Sequence, residues 1–194
     1  MSDHPSVAII GHSYVRRLKQ FCPSSSRFHN LNLQHERVSF LGIGGAKIRG
    51  SKRIIPHLHS LFKSSSFKVV FLQLGSNDLC DKNTSPHSVA LDLLALAHFL
   101  ISAYNVHRVV IGQLHYRSRA PYAHFNSNIA QTNLALLRAV REQQCPEIQF
   151  AHLKGFARHN PSFYLPDGVH FNAAGNFKFF EGVRGAVIRG LNSI

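Results

Sequence analysis

With 194 residues, 44% of them hydrophobic, the chain can bury one well-packed core and reads as a single domain over residues 1–194; no apolar run reaches the roughly 18 residues of a membrane span. Twenty-two Lys and Arg against nine Asp and Glu leave a formal charge of +13, a balance that suits a polyanionic partner, nucleic acid first, as well as a solubility surface. The stretch Met1 to Pro5 lacks a signal-peptide pattern, and Cys22, Cys80 and Cys145 are widely separated without Cys-x-x-Cys spacing, so the expectation is an intracellular protein, cytoplasmic or nuclear, with no disulfide framework and no zinc cluster.

In chain order, the apolar run Val7 to Gly11 predicts a strand that breaks at Gly11-His12-Ser13, followed by a helix through Val15 and Leu18 and an exposed loop at Pro23 to Ser26. A second strand, Val38 to Gly42, runs into Ile43-Gly44-Gly45-Ala46, and Ser64-Ser65-Ser66 marks another loop. Lys68 to Gly75 is apolar nearly throughout, as a strand buried on both faces should be, and delivers Ser76-Asn77-Asp78. Ser85-Pro86 predicts a helix start, with proline at the first helical position, for a run through Val89, Leu93, Leu94, Leu96, Leu100 and Ile101. Arg108 to His115 repeats the buried-strand pattern; a loop from Tyr116 to Asn126, a helix over about Asn128 to Gln144, and a strand from Ile148 to Leu153 follow. The last signals are Asp167-Gly168-Val169-His170 and a helix from about Asn172 to Leu191. The β-α alternation, repeated five times, predicts a three-layer α/β/α sandwich around a five-stranded parallel sheet, with ligand chemistry outside the carboxyl ends of the strands.

Four short blocks follow strands, and together they contain what acyl transfer requires. Ser13, at a helix N-terminus, could attack a carbonyl and lend its own N–H to the resulting oxyanion, although a lone serine there is more often a cap. Gly45 permits a backbone N–H to face a pocket unobstructed. Asn77 could donate its carboxamide N–H to the same oxyanion, or simply shape a turn. The spacing of Asp167 and His170 lets a carboxylate fix the imidazole Nδ1 proton while Nε2 faces Ser13; the plainer reading is an ordinary Pro-Asp-Gly turn. His57, His59 and His115 have no third ligand at convincing spacing, so no metal site is expected.

These blocks resemble the SGNH subgroup of the GDSL esterase and lipase family, named for Ser, Gly, Asn and His in four blocks, over nearly the whole chain from Val7 to about Gly175. The resemblance implies a flavodoxin-like SGNH hydrolase fold, Ser13 as nucleophile, His170 as base and Asp167 as its orienter. It also implies an oxyanion hole from the Ser13 N–H, the Gly45 N–H and the Asn77 side chain, no metal or organic cofactor, and a small acyl-ester substrate. The sequence departs from the family in one place: His12 stands where the family has Asp, which predicts a loosened or recharged nucleophile loop.

Basic residues concentrate after strands, and His12, Arg16, Lys47, Tyr116, Arg117 and Arg119 are candidate contacts to an anionic substrate. Tyr116, Tyr122 and Phe125 interleave with the arginines, which fits either a stacking platform for single-stranded nucleic acid or the lining of an acyl pocket. Two functions follow: a serine esterase or deacetylase acting on an anionic or nucleic-acid-associated ester, or a retired SGNH-like module binding single-stranded nucleic acid, of the kind that SGNH-like domains in mobile-element-encoded proteins suggest.

Overall fold

The computed structural model describes residues 6–63 and 65–194; the Met1 to Pro5 start and Ser64 of the serine loop lie outside the described residues. Five strands, β1 (Val7–Gly11), β2 (Val38–Gly42), β3 (Val69–Gln73), β4 (Arg108–Gly112) and β5 (Ile148–Ala151), form one sheet in the order β2-β1-β3-β4-β5. Every pairing is parallel, with Ile9 of β1 level with Phe40 on one side and Phe71 on the other. Five helices complete the described α-helical structure: α1 (Ser13–Phe21), α2 (Ile55–Lys63), α3 (Pro86–Tyr104), α4 (Phe125–Glu142) and α5 (Ala173–Asn192).

Alternating strand residues feed two cores. Ala8, Ile10, Val70, Leu72 and Ile111 pack with Leu58, Leu93, Leu100 and Leu136 on one face, while Val7, Ile9, Val69, Phe71 and Val110 meet Val15, Leu18, Phe179 and Val183 on the other. This is the expected three-layer α/β/α sandwich. Strands β3 and β4 end earlier than their apolar runs, because beyond Gln73 and Gly112 the chain leaves the ladder. There the buried Gln73 donates its Nε2 to the Gln113 carbonyl (3.0 Å), and Gln113 accepts the Leu153 N–H (3.0 Å), so side chains extend the pairing beyond the last backbone bonds, such as Gln113 N–H to the Ala151 carbonyl.

Helix α2 was not singled out by the sequence pattern, since only Leu58 among its residues is buried. Ser85 does occupy the N-cap of α3 with Pro86 next, but its side chain makes no capping bond. By length and overall hydropathy α3 could cross a membrane, although His87, Asp92 and His98 interrupt its apolar run. Seven of its residues are buried, and it packs on β4 and α4. The order reversal between β1 and β3 places the site: in such sheets a crevice opens where neighbouring connections leave to opposite faces.

Candidate active site

Ser13 leaves the end of β1 as the first residue of α1. Its Oγ lies 3.1 Å from His170 Nε2, and His170 Nδ1 lies 2.8 Å from Asp167 Oδ2. Asp167, His170 and Ser13 are thus joined in one hydrogen-bonded chain that spans a sequence separation of 157 residues. The other carboxylate oxygen, Asp167 Oδ1, accepts the backbone N–H groups of Val169 and His170, both at 2.8 Å. Desolvation alone would raise the Asp167 carboxyl, but the backbone and ring hydrogen bonds from His170, with the Val169 N–H, bring it down to about 2. It is an anion at neutral pH.

The turn carrying the pair is closed by Gly168 N–H to the Leu165 carbonyl (2.8 Å) and Leu165 N–H to the His170 carbonyl (2.8 Å). Gly168 sits at φ +66°, and a Cβ there would come within 2.5 Å of Arg119 N, whose N–H donates to the Gly168 carbonyl at 3.1 Å. Only glycine satisfies both the left-handed backbone and the close approach. From the other side, Tyr14 donates its hydroxyl to the Val169 carbonyl (2.7 Å) and stacks on Phe171 with ring centroids 4.5 Å apart. Tyr14, the residue after Ser13, thus anchors the turn that carries His170.

The glycine and asparagine blocks are tied together. Asn77 donates Nδ2 to the Ala46 carbonyl at 3.0 Å, and the buried Asp78 carboxylate accepts the N–H groups of Ile48 (3.0 Å) and Arg49 (3.2 Å). Gly45 lies between, at φ +72°. Among the described residues no acceptor takes the Ser13 or Gly45 N–H.

Two candidate contacts do not face a ligand. His12 is 1% exposed, which removes it as an anion contact. Burial, and then the nearby Arg117, His115 and His170, push its imidazole down to about 3. A neutral ring that accepts the Tyr14 N–H at Nδ1 (3.5 Å) carries its hydrogen on Nε2, which can then donate to Ser76 Oγ at 2.9 Å. His12 therefore caps α1 as an aspartate would, and adds no charge. The loop carrying Ser13 is neither loosened nor recharged by His12, contrary to the sequence expectation; the ring ties the Ser13 turn to the Ser76-Asn77 block.

Arg117 is the second correction. It is 9% exposed, lies 4.7 Å over the Phe125 ring, and donates to Asn77 Oδ1 at 3.0 Å and Cys80 Sγ at 3.1 Å. Nor do the aromatics make an exposed platform. Phe125 is fully buried, Tyr122 donates its hydroxyl to the Leu79 carbonyl (2.8 Å), and the half-buried Tyr116 offers its carbonyl to Tyr164. A helix begins at Phe125 and turns its ring inward, which alternation of basic and aromatic letters does not reveal.

Arg16, Lys47 and Arg119 lie at the surface or half-buried, as expected of a rim. A Cβ on Gly44 would sit 3.1 Å from Arg16 Nη1, and one on Gly45 would sit 3.9 Å from Lys52 Nζ, so two cationic heads flank the glycine turn. Beyond it opens a cleft of about 640 Å³ lined by Lys47, Arg49, Lys52, Asp78 and Asp92 among others. His57 and His59 are exposed on α2, whereas His115 is buried among Tyr14, Phe156, Phe171 and Phe179, and burial brings it down to about 3.

A family model described as the GDSL-like Lipase/Acylhydrolase family matches residues 10–176. The chain belongs to that family. It is by that membership a carboxylic ester hydrolase, and the four blocks of the SGNH pattern lie within the matched span. No curated protein matches the sequence. Solved structures that it resembles include a carbohydrate acetylesterase from Sinorhizobium meliloti (13% identity, TM-score 0.70, covering 95% of this chain and 99% of that one). Another is a carbohydrate esterase family 3 protein from Talaromyces cellulolyticus (16%, 0.70, 98% and 99%). A third is a GDSL-like lipase from Bacteroides thetaiotaomicron (16%, 0.65, 95% and 88%). At these identities the likeness concerns the SGNH hydrolase fold.

Proposed function

We propose that this esterase works by double displacement on a small acyl ester, with Ser13 as nucleophile. Ser13 Oγ attacks the carbonyl carbon while His170 Nε2 takes its proton, and Asp167 keeps the Nδ1 hydrogen in place and stabilises the imidazolium that forms. The carbonyl oxygen becomes an oxyanion facing the Ser13 N–H, the Gly45 N–H and Asn77 Nδ2. Collapse breaks the C–O bond to the alcohol, which leaves with the proton from His170 and an acyl-Ser13 behind. Water, deprotonated by His170, then attacks the acyl carbon, and the acid departs as Ser13 recovers its hydrogen.

The observation that carries this reading is the unbroken hydrogen-bonded chain from Asp167 through His170 to Ser13. We further infer that the preferred ester bears an anionic group. Arg16 and Lys52 flank the glycine turn and pair with no carboxylate among the described residues, whereas Arg49 is paired to Asp92 and the Asp78 carboxylate is engaged by backbone N–H groups. The module reading, a retired fold binding single-stranded nucleic acid, finds no support in buried Phe125 and Arg117 or in the intact relay.

A fluorophosphonate probe followed by peptide mapping should label Ser13, and Ser13→Ala should lower turnover of 4-nitrophenyl acetate by about 10³-fold or more at unchanged melting temperature. Turnover that survives the substitution would remove Ser13 from the mechanism.

A further inference from the structure

Arg117 comes from the loop after β4, yet its side chain runs back beneath the block that follows β3. Nη2 donates to Asn77 Oδ1 (3.0 Å) and reaches the Ser76 carbonyl (3.5 Å), and Nη1 meets Cys80 Sγ (3.1 Å). All three acceptors belong to the five residues centred next to Asn77. The loop itself is pinned, because Asn126 accepts the Arg117 N–H (2.9 Å) and donates to its carbonyl (2.9 Å). Phe125 supplies the surface on which the guanidinium lies. Among the described residues no carboxylate pairs with it, and its Nε is buried without an acceptor.

A buried cation lacking an anionic partner is costly, since its hydration is lost without ionic compensation. Its position shows where compensation can arise. A guanidinium has donors and no acceptor, so the side of the Asn77 carboxamide that faces it must be the carbonyl oxygen. The amide nitrogen is thereby turned away, with one hydrogen on the Ala46 carbonyl and the second left for a ligand. Drawing electron density toward Oδ1 also makes the Nδ2 hydrogens better donors.

We propose that Arg117 is a positioning residue of the oxyanion hole: acting through Asn77, it fixes the carboxamide with Nδ2 toward the reacting carbonyl and lends its charge to the tetrahedral oxyanion. The guanidinium touches neither substrate nor nucleophile. Its effect grows as negative charge develops on the far side of Asn77, so it favours the transition state over the bound ester. This rests on the esterase reading and on Asn77 as an oxyanion donor, and it gives the uncompensated charge a partner during the reaction.

The test is a double-mutant cycle with Asn77→Ala and Arg117→Met, read as kcat and KM for 4-nitrophenyl acetate, alongside Arg117→Lys. Arg117→Met should lower kcat by about 10- to 100-fold with KM within about twofold, and Asn77→Ala should cost about 10²- to 10³-fold. In the Asn77→Ala background the arginine substitution should cost less than about twofold, because the group it acts through is gone. Arg117→Lys, a point charge that cannot reproduce the planar fork, should fall between wild type and Arg117→Met. If Arg117→Met fails to fold by circular dichroism, Arg117→Lys takes its place in the cycle.

Losses that multiply across the cycle, or a rise in KM at unchanged kcat, would overturn the proposal while leaving the esterase reading intact. An inactive wild-type protein that also resists the fluorophosphonate probe would overturn both.

Discussion

The two flanks of the site differ in water. On one, the side chains of His170 and Asp167 are 23% and 44% exposed and rest on a tight turn; on the other, His12, Ser76 and Arg117 are all at or below 9% exposure behind Asn77. The division follows from what each flank is proposed to do. Proton transfer uses groups that change charge and let water in for deacylation, so a solvent-side turn serves them. An oxyanion is best stabilised by dipoles that are already fixed and screened from water, which the buried flank provides. Two histidines in one site thus reach opposite ends of the same chemistry: His170 faces a carboxylate and a hydroxyl, and His12 is kept neutral as a strut.

The comparison can be broken most severely at the wet flank. Asp167→Asn keeps the size but loses the negative charge and can favour the wrong imidazole tautomer, so kcat should drop by about 10³- to 10⁴-fold with little change in melting temperature. The carboxylate of Asp167 sits at about 2, so in the wild type this loss should not appear on mild acidification.

A smaller effect should appear at the dry flank as a dependence of stability on pH. His12 and His115 have folded-state values near 3, depressed from 6.5. The unfolded chain therefore binds protons that the native state refuses. Stability should be complete above about pH 6.5 and decline as pH falls toward 3, by up to about 1.4 kcal/mol per histidine per pH unit. Urea titrations between pH 7.5 and 4.5 would check this, and substituting His115 by Phe should flatten the slope.

The smallest change is expected at the rim. Arg16→Gln should raise KM for a carboxylate-bearing ester a few-fold and leave 4-nitrophenyl acetate unaffected, with the difference shrinking as salt is raised. Equal effects on both esters would remove Arg16 from substrate selection.

Much of this was legible because the chemistry lies where period and punctuation are strongest. Ser13 leaves β1 to open α1, and Asp167 and His170 sit on the turn just before α5, so a parallel sheet with its connections brings them together whatever their separation in sequence. Arg117 and His12 were misjudged for a common reason: charge and polarity predict exposure on average, and both residues are buried by partners distant in sequence, Asn77 and Cys80 for one, Ser76 for the other. Phe125 shows the complementary case: an aromatic that fitted either a stacking platform or an acyl-pocket lining is turned into the core by the start of α4. Tyr14 carried no signal beyond following the serine, because its role depends on a carbonyl 155 residues away.

That hydroxyl has a further consequence for how the fold can vary. With Tyr14 fastening Val169, and Phe163 and Tyr164 pairing back to Asn172 and Phe171, the turn is braced from within the scaffold rather than by the loop leading to it. Residues 157 and 158, exposed between the buried Phe156 and those anchors, become a place where chain can be lengthened or exchanged at small cost in loop entropy. Substrate-shaping insertions could be grafted there while the distance from Ser13 to His170 stays as it is.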